Sequence, residues 1–356
     1  MEIKGGGDAV SAARAVLQTG EYDLAYNLQV EDEILQRLEA GGKGRVVFSQ
    51  GSQIEHILLN AADPNVEVDG ERASPKSRHP VLSDPSVRQA LALLLDRQSV
   101  QQFIYGRAAF ATANYLNNPL LYRSANTRAE FNVDKANALL DWAGWARGAG
   151  GVREKGGRRL LLLFQTTTNA PRQKTQSIFK QACQQAGIAL ELKSVQAAVF
   201  FSSDEANPDT FGKFWADLLM SAWFSGSPDP APTMRGFTRA QLSAKANKWQ
   251  GNNGGRTNWC RKDRMTWTVY PTNVGSGQRH RSPRVAFPAL KADRHGSPHE
   301  TRRRGSAHSQ HRLDAANQAC ATDCGDQDIG ARRQVGWQRH AQSREMAALR
   351  PLNCLA

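Results

Sequence analysis

Ser221-Ala222-Trp223-Phe224-Ser225-Gly226-Ser227-Pro228-Asp229-Pro230 is the segment with the clearest capacity for chemistry. It follows the apolar run Phe214 to Met220 and breaks into a Gly/Pro turn. Trp223 at the end of a buried strand, just before such a turn, is well placed to line a cleft. An indole offers a wide apolar face and one N–H donor, which is the chemistry of binding. Asp229 could contact a ligand, but in Ser-Pro-Asp-Pro it reads first as a turn former.

Catalytic constellations are missing from the sequence. There is no G-x-S-x-G elbow, no phosphate-cradling G-x-x-x-x-G-K and no H-E-x-x-H. The glycines of 148–157 lack dinucleotide spacing. An enzyme is not expected, nor a cofactor or resident metal. His56 sits in an apolar-polar strand pattern and reads as structural, and Cys183 reads as a buried, inert thiol.

The chain changes character near residue 257. The net charge is +13, but residues 257–356 hold 17 Lys+Arg against 8 Asp+Glu, which leaves about +4 to residues 1–256. Ile, Leu and Val number 47 before residue 257 and 10 after it. Runs such as Thr301-Arg302-Arg303-Arg304-Gly305 have no period of 2 or 3.6. Such a segment cannot bury enough apolar surface to offset the entropy of ordering it, so an irregular tail is expected.

Three origins fit the tail: out-of-frame translation of a GC-rich gene, a genuine disordered basic tail, or a metal- or nucleic-acid-binding module. The first fits best. Cys320 and Cys324 have no second pair at zinc-finger spacing, and Gly296 and Pro298 break any helix that would align His295 with His299. The Arg clusters lack interleaved aromatics, so nucleic acid is not expected. Of the five cysteines only Cys183 precedes residue 257, so the body has no disulfide framework. No apolar run of eighteen or more residues is present, and Met1-Glu2-Ile3-Lys4-Gly5 lacks the basic start and apolar middle of a secretory signal.

The elements that position Trp223 read as α/β. Helices are predicted from Asp8 to Gly20, over Glu31–Glu39, from Pro85 behind a Ser83 or Asp84 cap, from Asn132 to Gly144, and over Thr175–Ala186. Strands are predicted over Glu21–Asn27, Arg45–Ser49, Gln53–Asn60, Arg159–Gln165 and from Ile188 to Lys193. Ala61–Pro80 reads as a crossover or linker. The last two strands and the helix between them form a βαβ unit, so they should be parallel. Ligands of open α/β sheets bind beyond the carboxyl ends of strands, near Trp223 here.

Several segments in order carry a family resemblance. Gly20-Glu21-Tyr22-Asp23 is similar to a G-E-x-D segment of the family 5 solute-binding proteins of ABC importers, the oligopeptide- and dipeptide-binding type. Asp84-Pro85-Ser86-Val87-Arg88-Gln89-Ala90-Leu91, ending at Asp96-Arg97, resembles their D-x-x-V-R-Q-A-L helix. Asp134-Lys135-Ala136, Leu139-Leu140 and Ala143-Gly144-Trp145 resemble their D-x-x-K-A-x-x-L-L-x-x-A-G-W helix. Gly187-Ile188 with Leu190-Glu191-Leu192, and Ala222-Trp223 with Pro228-Asp229-Pro230, complete the set.

That resemblance implies an incomplete periplasmic-binding-protein-like two-lobe fold (type II, cluster C). Residues 1–60 would be a remnant of the first lobe, 61–256 the larger lobe and 257–356 the aberrant tail. It implies a monomeric periplasmic receptor that closes on a peptide or small solute and delivers it to an inner-membrane ABC permease. Ala222, Trp223, Phe224 and Ser225 would line the site and pair with the ligand backbone. Tyr26 and Asn27 would face the cleft from the first lobe; the alternative for Tyr26 is a half-buried strand position.

Gly226 stands where relatives that grip a free peptide amine carry an Asp, so selection for that amine is not implied. The alternatives are a non-functional fragment or pseudogene product, or a nucleic-acid binder acting through its Arg-rich tail. A receptor lacking half its clamp is expected to bind poorly, more weakly than micromolar.

Overall fold

The computed structural model describes residues 2, 4, 7–48, 50–224, 228–254 and the strand Leu352–Leu355, with backbone alone at residue 50 and in that last strand. Ser225, Gly226 and Ser227, and the remainder of 255–356, lie outside the described residues.

The chain opens with α1 (Ala9–Arg14), which runs into a π-helical turn over Ala15–Thr19. The Asp8 side chain caps it by accepting from the Ser11 N–H at 2.9 Å, and Gly20 ends it in the left-handed conformation at φ 71°. Helix α2 (Asp32–Glu39) buries Leu35 and Leu38 against Leu17 and Val30. The strands expected over Glu21–Asn27 and at Arg45–Phe48 are not formed. Tyr22, Leu24 and Tyr26 alternate as a strand would, yet all three are exposed and no strand among the described residues pairs with them.

A single strand, β1 (Gln50–Leu59), follows. The expected crossover of 61–80 contains a two-stranded hairpin, β2 (Glu67–Val68) and β3 (Glu71–Arg72). Helix α3 (Pro85–Leu94) starts as the sequence predicts, with Pro85 in the first turn and the Asp84 carboxylate accepting from the Ser86 N–H. The short α4 (Arg97–Val100) follows, and then α5 (Val133–Trp142), capped by Asn132 through the Lys135 N–H. The glycine-rich stretch folds as a three-stranded meander: β4 (Ala146–Arg147), β5 (Arg153–Lys155) and β6 (Arg158–Arg159).

Strand β7 (Leu161–Thr167), helix α6 (Ala170–Gln185) and strand β8 (Ala189–Val195) form the expected parallel βαβ unit, in register from Leu161↔Ala189 to Thr167↔Val195. Helix α6 begins five residues before the predicted Thr175, because Asn169 caps it through the Arg172 N–H and Pro171 occupies its first turn. The short α7 (Ala197–Phe200), β9 (Leu218–Phe224) and α8 (Ala231–Arg235) complete the body, and Leu352–Leu355 is β10.

The main sheet runs β10-β1-β9-β7-β8. Strand β9 lies antiparallel to β1, from Leu59↔Leu218 to Gln53↔Phe224, and parallel to β7. So β1, which immediately precedes the expected lobe boundary at 60/61, shares one sheet with β9, β7 and β8. Alternation along the strands splits the core in two. Ile57, Leu59, Leu162, Phe164, Leu218 and Met220 face α3, α5 and α6, where Leu91, Leu140 and Phe179 are fully buried. Leu58 and Leu219 face the other way, toward Phe200, Phe214 and Ala216.

Two polar anchors hold β9. Asp217, just before it, accepts from the Leu163 N–H at 2.5 Å and lies 2.7 Å from His79 Nε2. The N–H groups of Val81 and Leu82 both donate to His79 Nδ1, so the ring proton sits on Nε2 and is donated to Asp217. On the neighbouring strand, buried Glu55 pairs with Arg172 of α6 at 2.7 Å.

Candidate functional site

The ladder between β7 and β9 stops early. Its pairs are Phe164↔Leu218 and Gln165↔Leu219, while β9 continues to Phe224 beside β1. Which way each peptide group of β9 points follows from two hydrogen bonds. Asn60 N–H donates to the Asp217 carbonyl, while the Asp217 N–H turns to the Leu163 carbonyl of β7; within β9, residues 219, 221 and 223 then address β1. Thr166 Oγ1 donates to the Met220 carbonyl at 2.9 Å, so residues 220, 222 and 224 address the β7 side. Beyond Met220, no other described residue makes a backbone bond to the peptide groups of Ala222 and Phe224 on that side. They form an open sheet edge at the carboxyl end of the parallel strands.

A cleft of about 380 Å³ lies beside this edge. Its walls include Ser221, Ala222, Trp223 and Phe224 of β9, residues 200–205 after α7, 210–213, and 248–252. Six aromatic residues from four stretches of chain line it: Phe200, Phe201, Phe211, Trp223, Phe224 and Trp249. Phe200 stacks edge-on against Phe201 and Phe211 at centroid distances of 4.9 and 5.9 Å. Phe201 and Phe224 are more than half exposed, at 57% and 66%. The indole N–H groups of Trp223 and Trp249 are buried and meet no acceptor among the described residues.

The charged groups at the cleft are engaged within the protein. Lys213 is buried, with its ammonium 5.0 Å from the Trp215 ring and 4.9 Å from the Trp249 ring, and it donates to the Glu205 carbonyl. Lys248 pairs with Glu205 at 3.1 Å, and Asp204 accepts from the Ala206 N–H at 2.9 Å.

The residues singled out from the sequence fall in three places. Ala222, Trp223 and Phe224 line the cleft. Ser225 lies outside the described residues. Asp229 is exposed, and its carboxylate accepts from the Ala231 N–H at 2.9 Å at the start of α8, as a turn former does. Tyr26 and Asn27 are not among the residues lining the cleft. Tyr26 is 63% exposed and Asn27 is left-handed at φ 58°. Their segment instead reaches the first turns of α6, where Gln29 accepts from Asn169 and Glu31 pairs with Lys174 at 2.8 Å.

His56 and Cys183 are buried, as expected of structural residues. Burial pushes the His56 imidazole down to about 4 and raises the Cys183 thiol. Sequence reasoning missed the Phe200, Phe201, Phe211 and Trp249 walls. They stand up to 49 residues apart, and only the fold brings them together. Among the described residues no three His, Cys, Asp or Glu side chains gather as a metal site, and no helix is long and apolar enough to cross a membrane.

Residues 2–244 match the model of the bacterial extracellular solute-binding proteins, family 5 Middle. Solved structures share the fold at low identity. Lactococcal OppA, complexed with an endogenous peptide in the closed conformation, is 20% identical at a TM-score of 0.51, over 70% of this chain and 44% of that one. AppA from Bacillus subtilis, in complex with a nonapeptide, is 18% identical at 0.50, over 74% and 53%. NikA from Brucella suis, in complex with Fe(III)-EDTA, is 18% identical at 0.51, over 69% and 45%. The chain thus spans about half the length of these structures. Its match to the family model covers well over half of its own length, and the chain belongs to the bacterial extracellular solute-binding proteins of family 5, a family of binding proteins rather than enzymes.

Proposed function

We propose that this chain is the ligand-facing part of an exported solute receptor, which binds an extended peptide along β9 for delivery to an ABC permease in the inner membrane. The observation that carries the reading is the open edge at Ala222 and Phe224. Its alternate N–H and C=O groups can take up a ligand main chain as an added strand, and the adjoining cleft can receive a side chain. Two of the three solved relatives named above hold peptides, which favours a peptide over other small solutes.

Main-chain pairing gives modest affinity with little side-chain selection. Binding by this chain is therefore expected to be weak. Protein labelled with ¹⁵N at its tryptophans, titrated with tripeptides to about 10 mM, tests the reading. The Trp223 indole signal should move in a saturable way. Unchanged tryptophan signals with every peptide would overturn the proposal.

A further inference from the structure

The cleft beside β9 has a more specific chemistry than main-chain pairing requires. We infer that it is a pocket for one uncharged aromatic side chain of the bound solute; this rests on the reading of β9 as the ligand-pairing edge.

Three observations converge on it. The first is the wall: six aromatic residues line one cleft, and two of them, Phe201 and Phe224, are more than half exposed. Exposed large apolar groups gathered at a concave site gain when a ligand covers them. The volume of about 380 Å³ is at the small end for ligand pockets, enough for one bulky side chain and too little for a folded partner.

The second is charge. The lysines that line the cleft are already committed, Lys213 between two indoles and Lys248 to Glu205, whereas Asp204 accepts one backbone N–H from Ala206. An anionic side chain entering here would lose water without gaining an uncommitted cation.

The third is preorganisation. Trp249 and the preceding Lys248 both hold left-handed backbone, at φ 56° and 54°, which non-glycine residues adopt only when their surroundings enforce it. The enforcement is visible. The single Ser243 hydroxyl proton is shared between the carbonyls of Gly212 and Trp249, at 2.7 and 3.0 Å from Oγ, and a Cβ added at Gly212 would collide with the Trp249 carbonyl. The wall is thus built before any ligand arrives, so little ordering cost remains at binding.

The test compares Ala-Phe-Ala, Ala-Ala-Ala and Ala-Glu-Ala on the full chain, read from the indole signals of Trp223 and Trp249. Ala-Phe-Ala should bind at least about tenfold more tightly than either of the others. Phe201→Ala, at an exposed position and checked for intact circular dichroism, should shrink that preference to about threefold or less. Equal affinities for the three peptides would overturn the pocket and leave the receptor reading standing. If no peptide moves a tryptophan signal, both fall. If N-acetylphenylalaninamide binds as well as Ala-Phe-Ala, and Ala222→Pro leaves both unaffected, the pocket stands and the pairing edge falls.

Discussion

Arg172 and Glu55 form a bidentate ion pair between the first turn of α6 and the middle of β1. Arg172 Nη2 lies 2.7 Å from Oε1, and Nε lies 3.1 Å from both carboxylate oxygens. The side chains are 4% and 2% exposed, and Nη1 also donates to Thr167 Oγ1 at 3.0 Å. Glu55 is the cross-strand partner of Ala222, so this pair secures the strand on which the open edge of β9 rests. Removing one member leaves a buried charge with no counterion. Glu55→Ala or Arg172→Ala should each cost about 3–5 kcal/mol, and the Glu55→Met/Arg172→Met double variant far less than the sum. Urea denaturation measures this, and single-variant losses below about 1 kcal/mol would refute it.

His56 provides a pH dependence whose sign is fixed. Its ring is buried and edge-on to Tyr115 at 5.5 Å. Burial is the main cause of its low folded pKa of about 4; the Ile54 carbonyl opposes the shift and Arg172 adds to it. In the unfolded chain the imidazole titrates near 6.5. The folded state therefore binds fewer protons between those values, and stability must fall as pH drops from about 6.5 toward 4. Below pH 4 the loss levels off at roughly 3 kcal/mol. The urea midpoints of native and His56→Asn protein should diverge in slope across pH 6.5–4.5, the native protein losing more. Parallel profiles would mean that His56 is not held neutral.

What could be read from the sequence followed the range of the forces involved. The α3 start was legible because its cap is local: Asp84 and Pro85 are adjacent in the chain. The βαβ unit was legible because its apolar runs differ in length and period from their surroundings. Tyr22, Leu24 and Tyr26 misled, since alternation records which face is apolar but not whether a neighbouring strand exists to pair with. The site was half legible for a similar reason. Trp223 could be found from the turn that follows it. Phe201 and Trp249 face it only because α7 and the 244–252 segment close around β9, and nothing near either residue in the chain records that meeting.

Gly106 should be intolerant of any side chain. Its φ is +49°, and an added Cβ would overlap the Asp32 carboxylate. That carboxylate accepts from the Arg107 N–H at 3.0 Å and from Arg107 Nε at 2.8 Å, while Arg107 Nη2 reaches Glu39 at 2.8 Å. Burial acts to raise the Asp32 carboxyl; the bonds from the Arg107 backbone, Gln36 and the Arg107 guanidinium outweigh it and hold it below the usual carboxylate range. The latch ties α2 to the segment after α4. Gly106→Ala should cost about 1–3 kcal/mol through backbone strain and the broken latch. Gly150→Ala, whose Cβ would meet nothing within 4 Å, should be nearly neutral. Similar melting temperatures for the two variants would refute the argument.

Proline can separate the two edges of β9. Ala222 addresses the side that β7 has left, whereas Ser221 addresses β1 and pairs with His56 in mid-ladder. A proline lacks the N–H and is tolerated at a free sheet edge but not inside a ladder. Ser221→Pro should cost about 3 kcal/mol or more. Ala222→Pro should cost clearly less while abolishing the peptide-induced shift of the Trp223 indole, because the donor it deletes serves the ligand rather than the sheet. Unfolding curves and the tryptophan-detected titration give the two halves of the result. If Ala222→Pro unfolds the protein as readily as Ser221→Pro does, the edge is not free; if it binds peptide as the native protein does, the ligand does not use it.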